Sequence, residues 1–219
     1  MSHLFSFDFE KYIKPYQHII WDWNGTLLDD VELCFSVLCE LLTENNLPVP
    51  DLDRYLKTFR FPIKDYYEEF GFDFNSTSFE FIAERFMEIY NNKVKSSSLF
   101  NGTHDWLELV RNKQKEQSIL SAASQDHLNE IIQHFKIEHL FDRIFGIENN
   151  FAAGKIHRGQ ELISASGVSK EKTLLIGDTD HDLEVGQALG IDVLLIADGH
   201  QHVERLVKAH NQVLKSRFK

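Results

Sequence analysis

The sequence predicts an α/β protein with a doubly wound parallel sheet and an inserted α-helical domain. Two observations lead to this prediction. Short apolar segments alternate with amphipathic helical patterns over the second half of the chain, as in βαβ units. In addition, a long helix-rich segment separates the first apolar segment from the second, where an ordinary crossover needs only one helix.

The predicted strands are short and strongly apolar. Continuous apolar segments of this length are typical of strands buried on both faces of a parallel sheet. We expect strands at His18–Asp22, Ser118–Ser121, Thr173–Gly177 and Val193–Ile196, and a weaker one at Arg143–Ile147.

Amphipathic helices are predicted between the later strands. Their apolar residues recur every three or four positions, which is the period of an α-helix. Strands that alternate with such helices favour crossover connections and a sheet covered on both faces. We expect these helices at Asp105–Gln114, Asp126–Phe135, Gln160–Ser166 and Asp182–Leu189.

The segment between the first two strands is predicted to be a helical insert. It greatly exceeds the loops of about 2–6 residues that join strands and helices in α/β folds. Its helices are expected at Val31–Glu44, Ile63–Phe70 and Ser78–Tyr90, with Ser96–Ser98 as the return linker. The predicted domains are therefore a discontinuous α/β core, residues 1–30 and 99–219, and a helical cap, residues 31–98.

Charge and composition limit the expected partners and compartment. The 219 residues carry a formal net charge of −11, which disfavours binding to nucleic acid or to an anionic membrane surface. No apolar segment approaches the roughly 18 residues that span a bilayer, and Met1–Tyr16 does not resemble a signal peptide. Cys34 and Cys39 are expected to be reduced and half-buried on one helix. We therefore expect a cytoplasmic protein.

Polar residues that could bind a ligand or take part in catalysis follow the ends of the predicted strands. In a parallel α/β sheet the carboxyl ends of the strands form one edge, where ligands bind. We therefore expect these side chains to lie close together. They are Asp22 and Asn24 after the first strand, Ser121 at the end of the second, Asp178 and Asp182 after Thr173–Gly177, and Lys155 at a helix start.

This set of residues suits phosphoryl transfer. Asp22 would attack phosphorus and form an aspartyl-phosphate, because a charge at the end of a buried strand is costly unless it binds or reacts. Mg²⁺, which prefers oxygen ligands, would be held by Asp22, a backbone carbonyl and Asp178. The phosphoryl oxygens would be held by Thr26, Ser121, Lys155 and backbone N–H groups of the turn at Gly25.

The same residues resemble the four motifs of the haloacid dehalogenase superfamily. The resemblance covers nearly the whole chain, and it is to the subgroup with a helical cap after the first motif, which includes phosphoglycolate phosphatase-like proteins. It implies a Rossmann-like core, a Mg²⁺-dependent hydrolase and a small phosphorylated substrate. The matching segments are Asp22–Asp29, Ser118–Ser121, Lys155 and Leu175–Asp182.

The resemblance also implies roles for individual residues. Asp22 would be the nucleophile, Ser121 and the neighbouring Ala122 would bind the phosphoryl group, and Lys155 would balance charge. The implied magnesium ligands, direct or through water, are Asp22, the backbone carbonyl of Asn24, Asp178 and Asp182.

Asn24 departs from the family pattern. Family phosphatases usually have a second aspartate at this place, described as the general acid and base. Asn24 keeps the carbonyl that binds Mg²⁺, but its amide cannot carry a proton at neutral pH. Loss of such a group typically costs about 10²–10⁴ in rate. If the missing acid limits turnover, Asn24→Asp is expected to raise it.

Three interpretations follow from this departure. The first and favoured one is a slow phosphatase whose substrates have good leaving groups. The second is a carbon–phosphorus hydrolase similar to phosphonoacetaldehyde hydrolases. In that case Lys64 or Lys57 of the predicted cap of this protein would form a Schiff base with the substrate. The third is a noncatalytic protein that binds a phosphorylated ligand.

A few other polar residues receive weaker predictions. Arg60 is expected either to select an anionic substrate when the cap closes or to lie on a solvated face. Asp29 and Asp30 are expected to cap the first helix of the insert. His200 and His202 are expected at the surface, because no third metal ligand lies near them in the sequence. The sequence leaves open the substrate and the choice between monomer and homodimer.

Overall fold

The structure, a computed structural model, describes residues 6–148 and 153–217. Its α-helices are α1 Ser6–Ile13, α2 Val31–Glu44, α3 Leu52–Thr58, α4 Ile63–Glu69, α5 Phe79–Lys93, α6 Thr103–Asn112, α7 Gln125–Phe135, α8 Ala153–Ser166, α9 Asp180–Leu189 and α10 Val203–Ala209. Its strands are β1 His18–Trp21, β2 Leu28–Asp29, β3 Ser98–Leu99, β4 Glu116–Ser124, β5 Arg143–Ile147, β6 Thr173–Gly177, β7 Asp192–Ile196 and β8 Val213–Leu214. Short 3₁₀ turns lie at Val94–Ser96, Glu138–Leu140 and Lys170–Lys172.

The central sheet is parallel and has the strand order β5-β4-β1-β6-β7-β8. β1 lies in its interior, with Trp21 opposite Ile119 of β4 and Ile176 of β6. All the strands that the sequence predicts are present, and β4 extends beyond its predicted bounds at both ends. The predicted doubly wound parallel sheet is confirmed.

Both faces of the sheet are buried, because successive side chains of a strand point to opposite faces. Ile19 and Trp21 belong to one apolar cluster, to which α1, α6 and α7 contribute. Ile20 and Leu120 belong to a second cluster, which is completed by side chains of α8, α9 and α10. This two-sided burial explains why the strands are apolar throughout.

Helices α2 to α5 form the insert. β2 and β3 pair in antiparallel fashion where the chain leaves and re-enters the α/β part, with Leu28 opposite Leu99. The interior of the insert is rich in aromatic side chains, and Tyr55, Tyr66, Tyr67 and Phe70 are all buried. Aromatic rings bury a large apolar area per residue, which helps such short helices to pack.

The sequence prediction lacks several of the short elements. Helices α1, α3 and α10 have seven or eight residues, so their periodic patterns are weak, although α4, which also has seven residues, is predicted. Contacts distant in sequence stabilise them, as where Phe9 of α1 stacks on Trp106 with ring centroids 4.2 Å apart. Strands β2, β3 and β8 have two residues each and were likewise not predicted.

Two further predictions concern the cysteines and membrane segments. Cys34 and Cys39 are free and partly buried, as predicted. Among the helices of residues 6–148 and 153–217, none combines the length and apolar character that crossing a bilayer requires.

Candidate active site

Three carboxylates converge at the carboxyl edge of the sheet. Asp22 follows β1, Asp178 follows the adjacent strand β6, and Asp182 lies in the first turn of α9. All three are buried, and one oxygen from each lies within 4.8 Å of the others. The structure therefore brings together acids that are about 160 positions apart in the sequence.

Lys155 brings positive charge to these carboxylates. It lies in the first turn of α8, and its Nζ donates to Asp22 Oδ1 at 2.5 Å and to Asp182 Oδ1 at 2.7 Å. Burial disfavours a charged ammonium, but the two carboxylates outweigh burial and raise the pKa of Lys155. Lys155 is therefore a fixed cation between β1 and α9.

The carboxylates have more negative charge than Lys155 can balance. Burial, helped by the neighbouring acids, raises the pKa of Asp22 to about 7 and that of Asp178 to about 6. Burial also acts on Asp182, but Lys155 outweighs it and lowers the pKa of this acid. A buried set of hard oxygen ligands with unbalanced negative charge fits a divalent cation such as Mg²⁺.

The turn after β1 is held against Asp178. Gly25 has φ +70°, and a Cβ placed on it would lie 2.3 Å from Asp178 Oδ2. Thr26 Oγ1 donates to Asp178 Oδ1 at 2.9 Å, and Thr26 itself is fully buried. The Gly25 N–H donates to Asp30 Oδ1 and to Leu28 O, each at 3.0 Å.

These contacts give Gly25 and Thr26 roles other than the predicted phosphate binding. The amide of Gly25 is already bound within the protein, and the hydroxyl of Thr26 orients an acid. The sequence shows residue types that suit phosphate, but it cannot show that internal partners use their donors first.

Ser121 and Ala122 lie on β4, next to β1. Since Trp21 is opposite Ile119, Ser121 lies near the level of Asp22 at the same edge of the sheet. Ser121 is buried, and its Oγ accepts from the N–H of Ala123 at 3.0 Å. Its hydroxyl hydrogen is not used in that bond, which agrees with the predicted contact to a phosphoryl oxygen.

Asp30 is the centre of a second polar network, which the sequence did not predict. It precedes α2, but its side chain does not cap that helix. Its oxygens accept from Asn24 Nδ2 at 2.7 Å, Tyr90 OH at 2.7 Å, Gly25 N at 3.0 Å and His200 Nε2 at 3.2 Å. Although burial opposes ionisation, His200 and the other donors lower the pKa of Asp30.

The prediction that His200 lies at the surface is wrong. His200 is buried, its backbone N–H donates to Asp178 Oδ2 at 2.7 Å, and its Nδ1 lies 2.8 Å from Tyr55 OH of α3. Burial disfavours the imidazolium, but Asp30 and Asp178 outweigh it and raise the pKa of His200. A signal was present in the sequence, because His200 follows β7 at the edge where the other site residues lie. His202 is partly exposed.

The residues of the insert that the sequence singles out lie apart from the carboxylates. Arg60 forms an ion pair with Glu69 and donates to Asp65 O at 3.2 Å, both within the insert. Exposed Lys57 pairs with Asp53 at 2.7 Å, and exposed Lys64 lies 5.7 Å from the ring centroid of Phe74. In the described part of the chain, none of the three cations has a polar contact with Asp22, Asp178 or Asp182.

Arg217 is a site-supporting residue that had no sequence signal. Its guanidinium donates to Thr26 O at 2.6 Å, to Gly25 O at 3.1 Å and to Asp198 Oδ1 at 2.8 Å. The same group lies 3.9 Å from the ring centroid of Phe100. Arg217 therefore joins the turn after β1 to the segment that leads to His200.

This fold and site agree with the family that sequence comparison shows. A family model described as haloacid dehalogenase-like hydrolase matches residues 19–196, most of the chain. The protein therefore belongs to the haloacid dehalogenase-like hydrolases and is an enzyme of that family. This confirms the resemblance drawn from the four motifs.

Individual relatives carry different names. A 5'-nucleotidase of Pseudomonas aeruginosa is 27% identical over 203 residues, covering 89% of this chain and 88% of the relative. The tyrosine-protein kinase PtkA of Mycobacterium tuberculosis is 23% identical over 199 residues, covering 90% of this chain and 68% of the relative. The crystal structure of a predicted phosphatase from Clostridium acetobutylicum has a TM-score of 0.76 at 19% identity, covers 92% of this chain and 94% of its own, and shows the same fold.

Proposed function

We propose that this enzyme is a Mg²⁺-dependent phosphatase that acts on a small phosphorylated metabolite through an aspartyl-phosphate at Asp22. One observation carries the proposal: Asp22 is buried at the end of β1, bound to Lys155 at 2.5 Å and next to Asp178 and Asp182. Phosphatase-named relatives and the 5'-nucleotidase of Pseudomonas aeruginosa support the same class of reaction.

In the proposed reaction a carboxylate oxygen of Asp22 attacks phosphorus while the bond from phosphorus to the leaving oxygen breaks. The leaving group departs with the bonding electrons as an oxyanion, which any later proton reaches from solvent. A water molecule then attacks phosphorus, Asp22 is released as the carboxylate, and inorganic phosphate forms. Lys155 favours the ionised form of Asp22 and offers positive charge to the phosphoryl group.

The oxygen ligands at this edge fit the magnesium ion that the family implies. Asp22, Asp178 and the backbone carbonyl of Asn24 would hold it, with Asp182 as a direct or water-linked partner. Bound there, Mg²⁺ would neutralise charge on the phosphoryl oxygens.

Residue 24 does not supply the proton in this proposal, because it is an amide. We therefore infer that the enzyme favours substrates whose leaving groups are stable without protonation, such as aryl or acyl phosphates.

We propose that residues 31–98 form a cap that covers this site. The insert contacts the α/β part where His202 N–H donates to Leu56 O at 3.0 Å and Gln201 Nε2 donates to Phe59 O at 2.9 Å. The ring of Phe59 also stacks on His200 with centroids 5.1 Å apart. These contacts agree with a closed arrangement around the buried Asp22 and with a small substrate.

Asp22→Asn tests the proposal directly. We expect turnover of p-nitrophenyl phosphate with Mg²⁺ to fall by more than about 10³-fold, because the nucleophile is lost while the shape is kept. The matched control is Asp192→Asn, since Asp192 bonds to Tyr16 at the opposite edge of the sheet, and its turnover should equal that of the wild type. Undiminished turnover by Asp22→Asn would contradict the proposal.

A further inference from the structure

Asn24 forms a closed triangle of hydrogen bonds with Asp30 and Tyr90. Its Nδ2 donates to Asp30 Oδ2 at 2.7 Å and lies 2.8 Å from Tyr90 OH. Tyr90 OH donates to the same oxygen of Asp30 at 2.7 Å. Each side of the triangle therefore has one donor and one acceptor.

The chemistry of Asp30 fixes the direction of these bonds. Asp30 has no solvent exposure, and its two oxygens also face the Gly25 N–H, His200 Nε2 and, at 3.5 Å, Cys34 Sγ. A carboxylate surrounded by donors accepts only, so the atom of Asn24 that faces it must be the NH₂ group. The amide side chain is therefore a donor that Asp30 requires.

A carboxylate at position 24 would break this pattern. Two acceptor-only groups would meet at about the distance of the present 2.7 Å contact, and Tyr90 OH could donate to only one of them. Like charges at such a distance in a buried site strongly disfavour each other. The departure at Asn24 therefore has a partner in the structure, which is Asp30.

We propose that Asn24, Asp30 and Tyr90 form a positioning unit that fastens the nucleophile turn to α5 of the insert, and that Asp30 excludes a carboxylate from position 24. The unit joins three parts of the molecule: the turn after β1, the residue before α2, and the C-terminal part of α5. Asn24 then has a structural role as a hydrogen-bond donor to Asp30, in addition to lacking the acid and base function of an aspartate. The activity readout of this inference rests on the proposed phosphatase function, whereas the pairing does not.

The pairing of Asn24 with Asp30 predicts that Asn24→Asp raises turnover only when residue 30 is changed as well. In the exchanged pair, Asn24→Asp with Asp30→Asn, the amide introduced at position 30 can donate through its nitrogen to the carboxylate introduced at position 24. The oxygen of that amide can still accept from Gly25 N–H and His200. The three hydrogen bonds of the triangle are then kept, but the residue at position 30 is the donor and the residue at position 24 is the acceptor.

A double-mutant cycle tests the unit by thermal unfolding and by p-nitrophenyl phosphate turnover. We expect Asn24→Asp and Asp30→Asn each to lower Tm by about 3–6 °C, and the exchanged pair to recover most of the combined loss. Asn24→Asp alone should not exceed wild-type turnover. The exchanged pair should restore at least the wild-type rate and exceed Asn24→Asp by about tenfold or more.

Tyrosine-to-phenylalanine variants supply a matched control. Tyr90→Phe removes a hydroxyl from the triangle and should lower both Tm and kcat. Tyr66→Phe removes a buried hydroxyl that has no hydrogen-bond partner in the described residues, so it should leave both unchanged.

Two results would overturn the inference: additive losses of Tm in the exchanged pair, or a gain of turnover by Asn24→Asp alone. If the wild type does not hydrolyse the aryl phosphate but the Tm values still show coupling, the proposed function fails while the positioning unit stands.

Discussion

Two separate constraints favour glycine at position 25: the backbone conformation of the turn and its close contact with the site. The φ of +70° at Gly25 is closely matched by Gly167 at +71°, but a Cβ on Gly25 would lie 2.3 Å from Asp178 Oδ2, whereas one on Gly167 would have nothing within 4 Å. Both glycine-to-alanine changes bear the cost of a left-handed conformation, about 1–2 kcal/mol. Only Gly25→Ala also displaces Asp178 and His200, whose Cδ2 would lie 2.5 Å from the new Cβ.

We therefore expect Gly25→Ala to lower the free energy of unfolding by about 2 kcal/mol or more beyond Gly167→Ala. We also expect it to lower aryl phosphatase turnover at least tenfold, since the displaced acid is a proposed magnesium ligand. Urea unfolding and steady-state kinetics measure the two effects. Equal losses in both variants would show that backbone strain, and not contact with Asp178, requires glycine at position 25.

The residues that the sequence identified differ from those it missed in how they are positioned. Asp22, Asp178 and Lys155 lie at strand ends or a helix start, so the topology of a parallel sheet brings them to one edge. Asp30 and Tyr90 meet only through the packing of α5 against α2, which no local pattern encodes. The directions of the Gly25 and Thr26 donors depend on the same kind of tertiary contact.

Among the secondary-structure elements, the C-terminal segment has an unexpected influence on the site. β8 pairs with β7 and leads to Arg217, whose bonds to the carbonyls of Gly25 and Thr26 hold the turn after β1. A guanidinium can donate to both carbonyls and to Asp198 at once, which an ammonium cannot do with the same geometry. The buried Arg217 is therefore not interchangeable with lysine.

Arg217→Lys is expected to lower the free energy of unfolding by about 2 kcal/mol and to reduce turnover. The matched change is Arg85→Lys, because Arg85 is partly exposed and pairs with Glu44 and Glu88 at the surface of the insert. Exposed pairs contribute about 0–1 kcal/mol, so this variant should stay close to the wild type. Urea unfolding of both proteins gives the comparison, and similar losses would refute the role of Arg217.

The helices and strands differ in how strongly their local sequence patterns predict them. β1 and β6 are apolar on both faces, and α7 has a clear helical period, so their patterns are strong. α3 and α10 have seven residues each, as does α4, which is the one of the three that the sequence predicts. Helices this short gain most of their stability from packing, which a local pattern does not reveal.

For the molecule as a whole, the proposed cap predicts that access to Asp22 depends on the contact between the insert and the α/β part. Asp22 is only 7% exposed, and the segment from His200 to His202 bonds to α3 and the residues after it. In the proposed reaction, a phosphorylated substrate would therefore need the insert to move before it could reach Asp22. In the proposed closed arrangement, the same contacts would exclude water from a bound substrate.

Amide hydrogen exchange can measure this movement. The His202 N–H donates to Leu56 O of the insert at 3.0 Å, whereas the Asp22 N–H donates to Ile176 O within the sheet at 2.8 Å. Movement of the insert exposes the first amide and leaves the second protected. We expect Gln201→Leu, which removes the bond from Gln201 Nε2 to Phe59 O together with the two bonds between the Gln201 side chain and Asp180 of α9, to raise the exchange rate of His202 about tenfold.

The Asp22 amide serves as the internal control for that variant, because its exchange requires opening of the sheet. If Gln201→Leu raises both rates equally, it has destabilised the entire fold, and the contact does not control access. If it raises neither, the insert is held by its other contacts. Selective exchange at His202 would support the proposed cap, because the contact between residues 200–202 and the insert would then open while the sheet stays closed.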